Sequence, residues 1–188
     1  MVVEESRLKG IVSWALNVTF LALIPKSYHT LTFDEFRQIS YCNSVHEMTS
    51  NIIASRIKGK LSLNVSKEQF GFLNNRQILD SIGVAQKVFH FINFKRIKAL
   101  VLKIDLIKAD DRVDWNFIRL ILLQIGLPLI VINWIMACIN SSNFFLLING
   151  APTRFFKASR GLKKGCLVSP MLFLLVVEGL CKLIDNHW

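Results

Sequence analysis

Apolar residues in this chain recur with two periods, and the change from one to the other predicts its elements. From Asn43 to Leu63 the positions Val45, Met48, Ile52, Ile53 and Ile57 fall three to four apart with basic residues between, the spacing of an amphipathic helix. Further helices are predicted from about Gln77 to Phe91, over Asp114–Ile125 with Gly126 and Pro128 as stop signals, and over about Ile130–Ile139. Ser169–Ile184 closes the chain as an apolar helix with Pro170 in its first turn. Short apolar runs predict strands at Phe20–Lys26, stopped by Pro25, and at Ala99–Asp105, where Leu100, Val101, Leu102 and Ile104 crowd together. Phe144–Ile148 and Thr153–Ala158 read as a hairpin across an Asn149-Gly150 turn. Ser66–Phe72 and Asn74-Asn75 read as loop. Helices alternating with short antiparallel strands place the chain in the α+β class. No repeat, low-complexity tract or linker divides it, so it is treated as one unit.

Composition narrows the classes. At 188 residues the chain can bury a sizeable core, and 52% hydrophobic residues with mean hydropathy +0.41 are high for a soluble domain. The best membrane candidate, Ile118–Ile139, contains Arg119, Gln124, Gly126, Pro128 and Asn133, a poor span. Residues 1–9 lead with Glu4 and Glu5 and lack the apolar core of a signal peptide. Cys42, Cys138, Cys166 and Cys181 are scattered, which argues against zinc and disulfides and for a reducing compartment. The expectation is an intracellular protein, in cytoplasm or nucleus, with no membrane partner. His29, His46, His90 and His187 are isolated and read as structural or exposed. The chain holds no Gly-x-Ser-x-Gly, no phosphate-binding loop ending in Gly-Lys-Ser/Thr and no His-Glu-x-x-His.

The net charge of +10 is unevenly spread. Residues 51–100 carry 9 basic and 2 acidic side chains, and residues 151–188 carry 6 and 2, so positive charge flanks an Asp-rich stretch. Such a surface attracts a polyanion such as nucleic acid. The alternative is a solvated basic face without a partner.

The Asp-rich stretch, Lys103–Trp115, holds the candidate chemistry. Asp105 ends an apolar run, and a carboxylate there is costly unless paired or bound to metal. It reads equally as a Mg²⁺ ligand or as a cap on the next turn. Asp110, Asp111 and Asp114 lead into a helix, where capping and the helix dipole are their first explanation.

Lys103–Trp115 resembles the motif that carries the first catalytic aspartate in reverse transcriptases of non-LTR retrotransposons, the LINE-type elements abundant in plants. Other segments match in family order. Asn17-x-Thr19-x-x-x-Leu23-Ile24-Pro25-Lys26 is similar to the family's opening strand, and Phe36–Asn43 to its fingers segment. Ala54-Ser55-Arg56-Ile57-Lys58, then Ser66-x-x-Gln69-x-x-Phe72, then Arg76-Gln77-Ile78-Leu79-Asp80 continue the pattern. Trp134-Ile135-Met136-x-Cys138, Ile148-Asn149-Gly150 and Ser159–Pro170 complete it. The resemblance implies a partial right-hand fold: a lead-in over 1–16, fingers over about 17–98 and part of a palm over about 99–188. It implies that Asp105 binds catalytic Mg²⁺, that Arg37 and Arg76 hold nucleotide phosphates or template, and that Gly165 lies against the nascent base pair. Its implied partners are an RNA template, a DNA primer or RNA–DNA hybrid, and a deoxynucleoside triphosphate.

Departures from the family pattern shape the functional expectation. Asp110 stands where the family carries an aromatic gate against the ribose 2′-hydroxyl. Lys164 replaces Gln, Cys166 replaces Asp, Leu167 replaces Pro, and Gln38 stands where Pro is usual. No Asp-Asp pair follows Asp111, so the second acidic motif is missing. The expectation is a reverse transcriptase fragment without polymerase activity of its own. A non-catalytic RNA- or DNA-binding module with a basic groove is the alternative. Open strand edges and a partly uncovered closing helix are expected to favour aggregation.

Overall fold

The computed structural model describes residues 2–73, 75–148 and 150–185. Its helices form where caps and apolar spacing agree. Helix α1 (Val2–Lys9) is followed by strands β1 (Val18–Pro25) and β2 (Phe36–Cys42) and by helix α2 (Ser44–Asn64). Asn43 caps α2 by accepting the Val45 N–H at 2.9 Å, and Ile53, Ile57 and Leu61 repeat every four residues on its buried face. After α3 (Ile78–Lys95) and the single turn α4 (Ala109–Arg112) comes α5 (Trp115–Gln124). Asp114 caps α5 by accepting from the Asn116 and Phe117 N–H groups at 2.6 and 3.3 Å. The chain turns at Gly126 (φ +72°), and Pro128 precedes α6 (Leu129–Asn140). The apolar stretch from 118 to 139 is therefore two helices, and no helix among the described residues is long and apolar enough to cross a membrane.

The core lies where α2, α5, α6 and the closing helix α7 (Val168–Asp185) meet. Leu61, Leu122, Ile132, Ile135 and Leu172 are fully excluded from solvent there. Gly179 lets α7 approach α5: a Cβ at this position would lie 3.0 Å from the Ile121 side chain and 3.1 Å from Phe117. Helix α1 packs on α6, where the Trp134 indole donates to Ser6 Oγ at 3.0 Å. Helix α1 is thus docked on the core helix α6.

Three further strands complete the sheet: β3 (Asn143–Ile148), β4 (Ala151–Pro152) and β5 (Phe156–Lys157). The order is β2-β1-β3-β4, with β5 also paired to β3. β1 runs antiparallel to β2, with Thr19 opposite Cys42 and Pro25 opposite Phe36. It runs parallel to β3, with Val18 opposite Asn143. A parallel pair needs a long crossover, and here the crossover contains the core helices α2, α5 and α6.

Three sequence expectations change. The strands are not all antiparallel, because β1 and β3, joined by a long helical crossover, run parallel. Residues 99–105 are not a strand: residues 97–106 have no regular structure, and Leu100, Leu102 and Ile104 are exposed. A run apolar on both faces becomes a strand when neighbours supply hydrogen bonds and cover, and no described strand pairs with it. The hairpin's second arm is split, with β4 and β5 separated around Thr153, whose Oγ1 accepts the Leu146 N–H at 3.0 Å. Gly150 holds φ +83°, while Asn149 lies outside the described residues. Exposed apolar surface gathers on α7 as expected, where Leu180, Leu183 and Ile184 are open to solvent beyond its covered inner face, and also on helix α3, which buries none of its residues.

Candidate functional site

The loop joining β5 to α7 is sewn to two other parts of the chain by its backbone. Gly161 N–H donates to the Val113 carbonyl at 2.8 Å and Leu162 N–H to the Asp110 carbonyl at 2.9 Å. The Trp115 indole donates to the Gly161 carbonyl at 2.8 Å. On the other flank the Ser40 N–H of β2 donates to the Lys164 carbonyl at 2.8 Å. These approaches are close enough to require glycine. A Cβ at Gly161 (φ +89°) would sit 2.9 Å from the Asp111 carbonyl oxygen, and one at Gly165 (φ +105°) 2.9 Å from that of Ser40.

This closure makes a cleft lined with cations. A cavity of about 470 Å³ is bounded by Lys26, Arg37, Lys108, Lys164, Asp111 and Gly165. A smaller one of about 300 Å³ shares Gln38, Lys108, Asp111 and Lys164 with it and adds Arg160. Carboxylates neutralise part of this charge. Lys164 pairs with Asp111 at 2.9 Å, and Lys108 pairs with Asp34, whose carboxyl is held below its usual range by that ammonium. Lys26 instead donates to the Asp34 carbonyl at 2.9 Å. Among the described residues the ion pairs are these two and Arg7–Glu4, Lys9–Glu5 and Lys182–Glu178, so Arg37 faces the cleft unneutralised.

Of the residues singled out from sequence, Arg37, Lys164 and Gly165 meet at this cleft. Asp110 borders a third cavity of about 630 Å³ beside Lys164 and Gly165. Arg76 is elsewhere: its guanidinium donates to the carbonyls of Gln69 at 2.7 Å and Val65 at 3.2 Å, and to those of Ser62 and Ser66. It organises the loop after α2, and neither Arg37 nor Arg76 forms an ion pair among the described residues. Asp105 is exposed on the irregular segment and lines none of these cavities. Among the described residues no group of three or more His, Cys, Asp or Glu could hold a metal ion. The donor set around Asp105 does not fit a Mg²⁺ centre by itself. Sequence reasoning missed Asp111, read as a cap and in fact the partner of Lys164, and it missed Lys108.

Behind the cleft lies a buried polar cluster. The Lys163 ammonium donates to Asn17 Oδ1 and sits 5.7 Å from the centre of the Phe144 ring, and burial lowers its pKa. Asn17 Nδ2 donates in turn to the Cys138 carbonyl at 2.8 Å and to Ser141 Oγ at 2.6 Å. Nearby, Cys166 Sγ is 3.2 Å from Ser50 Oγ and 3.7 Å from His46 Nε2. Burial, helped by the Lys163 charge, pushes the His46 imidazole from 6.5 down to about 3, while burial pushes the Cys138 thiol up to about 12.

The His46 shift has a readable consequence. Below pH 6.5 an unfolded chain takes up a proton that the buried imidazole refuses until about pH 3. His46 therefore lowers stability as pH falls through that window, by at most about 1.4 kcal/mol per pH unit. Urea melts of wild type and His46→Leu across the window should show a shallower pH slope for the variant. Equal slopes would place the acid sensitivity in other groups.

Comparison with known proteins gives a consistent result. A family profile described as reverse transcriptase (RNA-dependent DNA polymerase) matches residues 24–188. The chain is 24% identical over 177 residues to the transposon TX1 uncharacterized 149 kDa protein of Xenopus laevis, covering 94% of this chain and 14% of that protein. It is 23% identical over 187 residues to the retrovirus-related Pol polyprotein from type-2 retrotransposable element R2DM of Drosophila melanogaster, covering 96% and 18%. With the Pol polyprotein from type-1 retrotransposable element R2 of Popillia japonica the identity is 26% over 187 residues, covering 96% and 26%. The chain thus spans about a quarter or less of the length of these relatives.

Proposed function

Because this chain belongs to the reverse transcriptase family, in its non-LTR retrotransposon branch, we propose that its basic cleft receives the phosphates of an RNA–DNA hybrid or an incoming deoxynucleoside triphosphate. The convergence of Lys26, Arg37, Lys108 and Lys164 beside the Gly165 turn carries this reading. In it, residues 17–98 act as fingers and residues 99–188 as part of the palm. Arg37, like Lys26, contributes a cation with no carboxylate partner among the described residues. Gly165 keeps the loop low enough for a base pair to approach, since any side chain there would meet the Ser40 carbonyl. Arg76 acts through the loop it braces.

Reverse transcriptases use divalent metal ions, which polarise the phosphate and lower the pKa of the attacking hydroxyl. Asp105 would give one carboxylate to Mg²⁺. Two ions need more carboxylates than that, and no group of three or more His, Cys, Asp or Glu side chains gathers among the described residues. No chemical step is assigned to them. This donor set favours a second reading, in which these residues bind nucleic acid without extending a primer.

Fluorescence anisotropy with a labelled RNA–DNA hybrid tests both. Binding should weaken steeply with salt, and Arg37→Ala should weaken it and reduce the slope of log K against log salt by about one. Salt-independent binding, or none, would remove the cleft reading. With dNTPs and Mg²⁺ added, an unextended primer supports the second reading, while extension abolished by Asp105→Ala overturns it.

A further inference from the structure

The loop after α2 is held more firmly than its length requires. From one side Arg76 gathers three of its carbonyls, those of Val65, Ser66 and Gln69, together with that of Ser62 in the last turn of α2. From the other, the buried carboxylate of Glu178 on α7 accepts the Ser66 N–H at 3.1 Å and the Ser66 hydroxyl at 2.8 Å. Within this grip stands Phe72, with φ +57° and 63% of its surface exposed. A bulky residue with positive φ is an outlier. Such strain persists only where the surroundings impose it, and it concentrates at functional sites. Burial does not compensate it here, because the ring faces solvent.

Phe72 lines two cavities at once. One, of about 630 Å³, is shared with Lys164 and Gly165. The other, of about 510 Å³, is shared with Lys58 and Arg76. The residue therefore stands between two largely apolar hollows, each lined by at least one cation. Bases offer flat π-faces and their linkers carry phosphates, so this arrangement suits a strand more than an apolar peptide.

We propose that Phe72 is a stacking platform for an unpaired base of single-stranded RNA passing the cleft, with Lys58 and Lys164 on the flanking phosphates. Glu178 and Arg76 are the positioning residues that hold the platform. The proposal rests on the cleft reading above and adds to it a site for the unpaired strand.

The test uses the full chain and an oligoribonucleotide of about 12 nucleotides containing one 2-aminopurine. Stacking should quench the probe on binding. Phe72→Ala should abolish the quench and weaken binding about tenfold, and Phe72→Trp should keep both. The salt slope should stay at its wild-type value in each variant, because no phosphate contact is removed. If Phe72→Ala melts below wild type, Phe72→Leu, which keeps apolar bulk without a ring, replaces it and should lose the quench equally. A Phe72→Ala or Phe72→Leu protein that binds and quenches like wild type overturns the proposal while leaving the Arg37-dependent cleft intact. A reduced salt slope overturns it as well, by assigning the loss to displaced cations. Failure of wild type to bind RNA or hybrid removes the cleft reading and the platform together.

Discussion

Gly161→Ala is expected to cost about 3 kcal/mol or more and to abolish binding at the cleft. Two independent terms add. A φ of +89° lies outside what an L-residue adopts without strain, which costs about 1–3 kcal/mol. The new methyl would also lie 2.9 Å from the Asp111 carbonyl oxygen, and a backbone atom cannot rotate away as a flexible side chain can. Relief requires the loop to retreat from Val113 and Asp110, which breaks the hydrogen bonds of Gly161 and Leu162 and moves Lys164 off Asp111. Denaturant melts would show the loss of stability, and hybrid binding by the remaining folded fraction would show the loss of the cleft. Gly59→Ala is the control, since nothing lies within 4 Å of the Cβ it would introduce. Equal stability of the two variants would refute the argument.

Asn17→Ala is expected to destabilise by a similar amount, about 3–4 kcal/mol, by leaving the buried Lys163 ammonium without its acceptor. The same change removes the Asn17 amide donor from the Cys138 carbonyl and from Ser141 Oγ, which keep only the Ser142 hydroxyl and the Ala137 carbonyl as partners. For a chain of this size the melting temperature should fall by roughly 10 °C. The mechanism is separable from simple loss of packing. Combining Asn17→Ala with Lys163→Met removes the buried charge, so the double variant should be more stable than Asn17→Ala alone. A double variant less stable than Asn17→Ala would show that the ammonium was not the source of the penalty.

What the sequence made legible follows from the range of the interactions involved. Helices α2, α5, α6 and α7 were read within a residue or two because apolar spacing, Asn43, Asp114, Gly126 and Pro128 are local signals. The 99–105 segment was misread because an apolar run does not state whether a partner strand exists. The split of the hairpin at Thr153 depends on a side chain meeting a backbone N–H seven residues away. At the site, the resemblance to reverse transcriptase motifs pointed to Gly165 and, in the fingers segment, to Arg37. The Lys164–Asp111 pair was hidden, because it joins positions 53 apart through a loop whose closure must already be known. Arg76 looked like a ligand-binding cation for a related reason. Its four acceptors are backbone carbonyls, and any sequence supplies those.

The parallel pairing of β1 with β3 imposes an order of events on the newborn chain. Val18 and Asn143 are register partners separated by more than a hundred residues. While the ribosome makes the intervening helices, β1 can pair only with β2, leaving the edge meant for β3 open. Contacts this distant close slowly, and an open edge is a template for the wrong strand. Within this sheet, β1 is therefore the first strand to be synthesised and among the last to be completed. That interval is when a chain this apolar is most exposed to its neighbours.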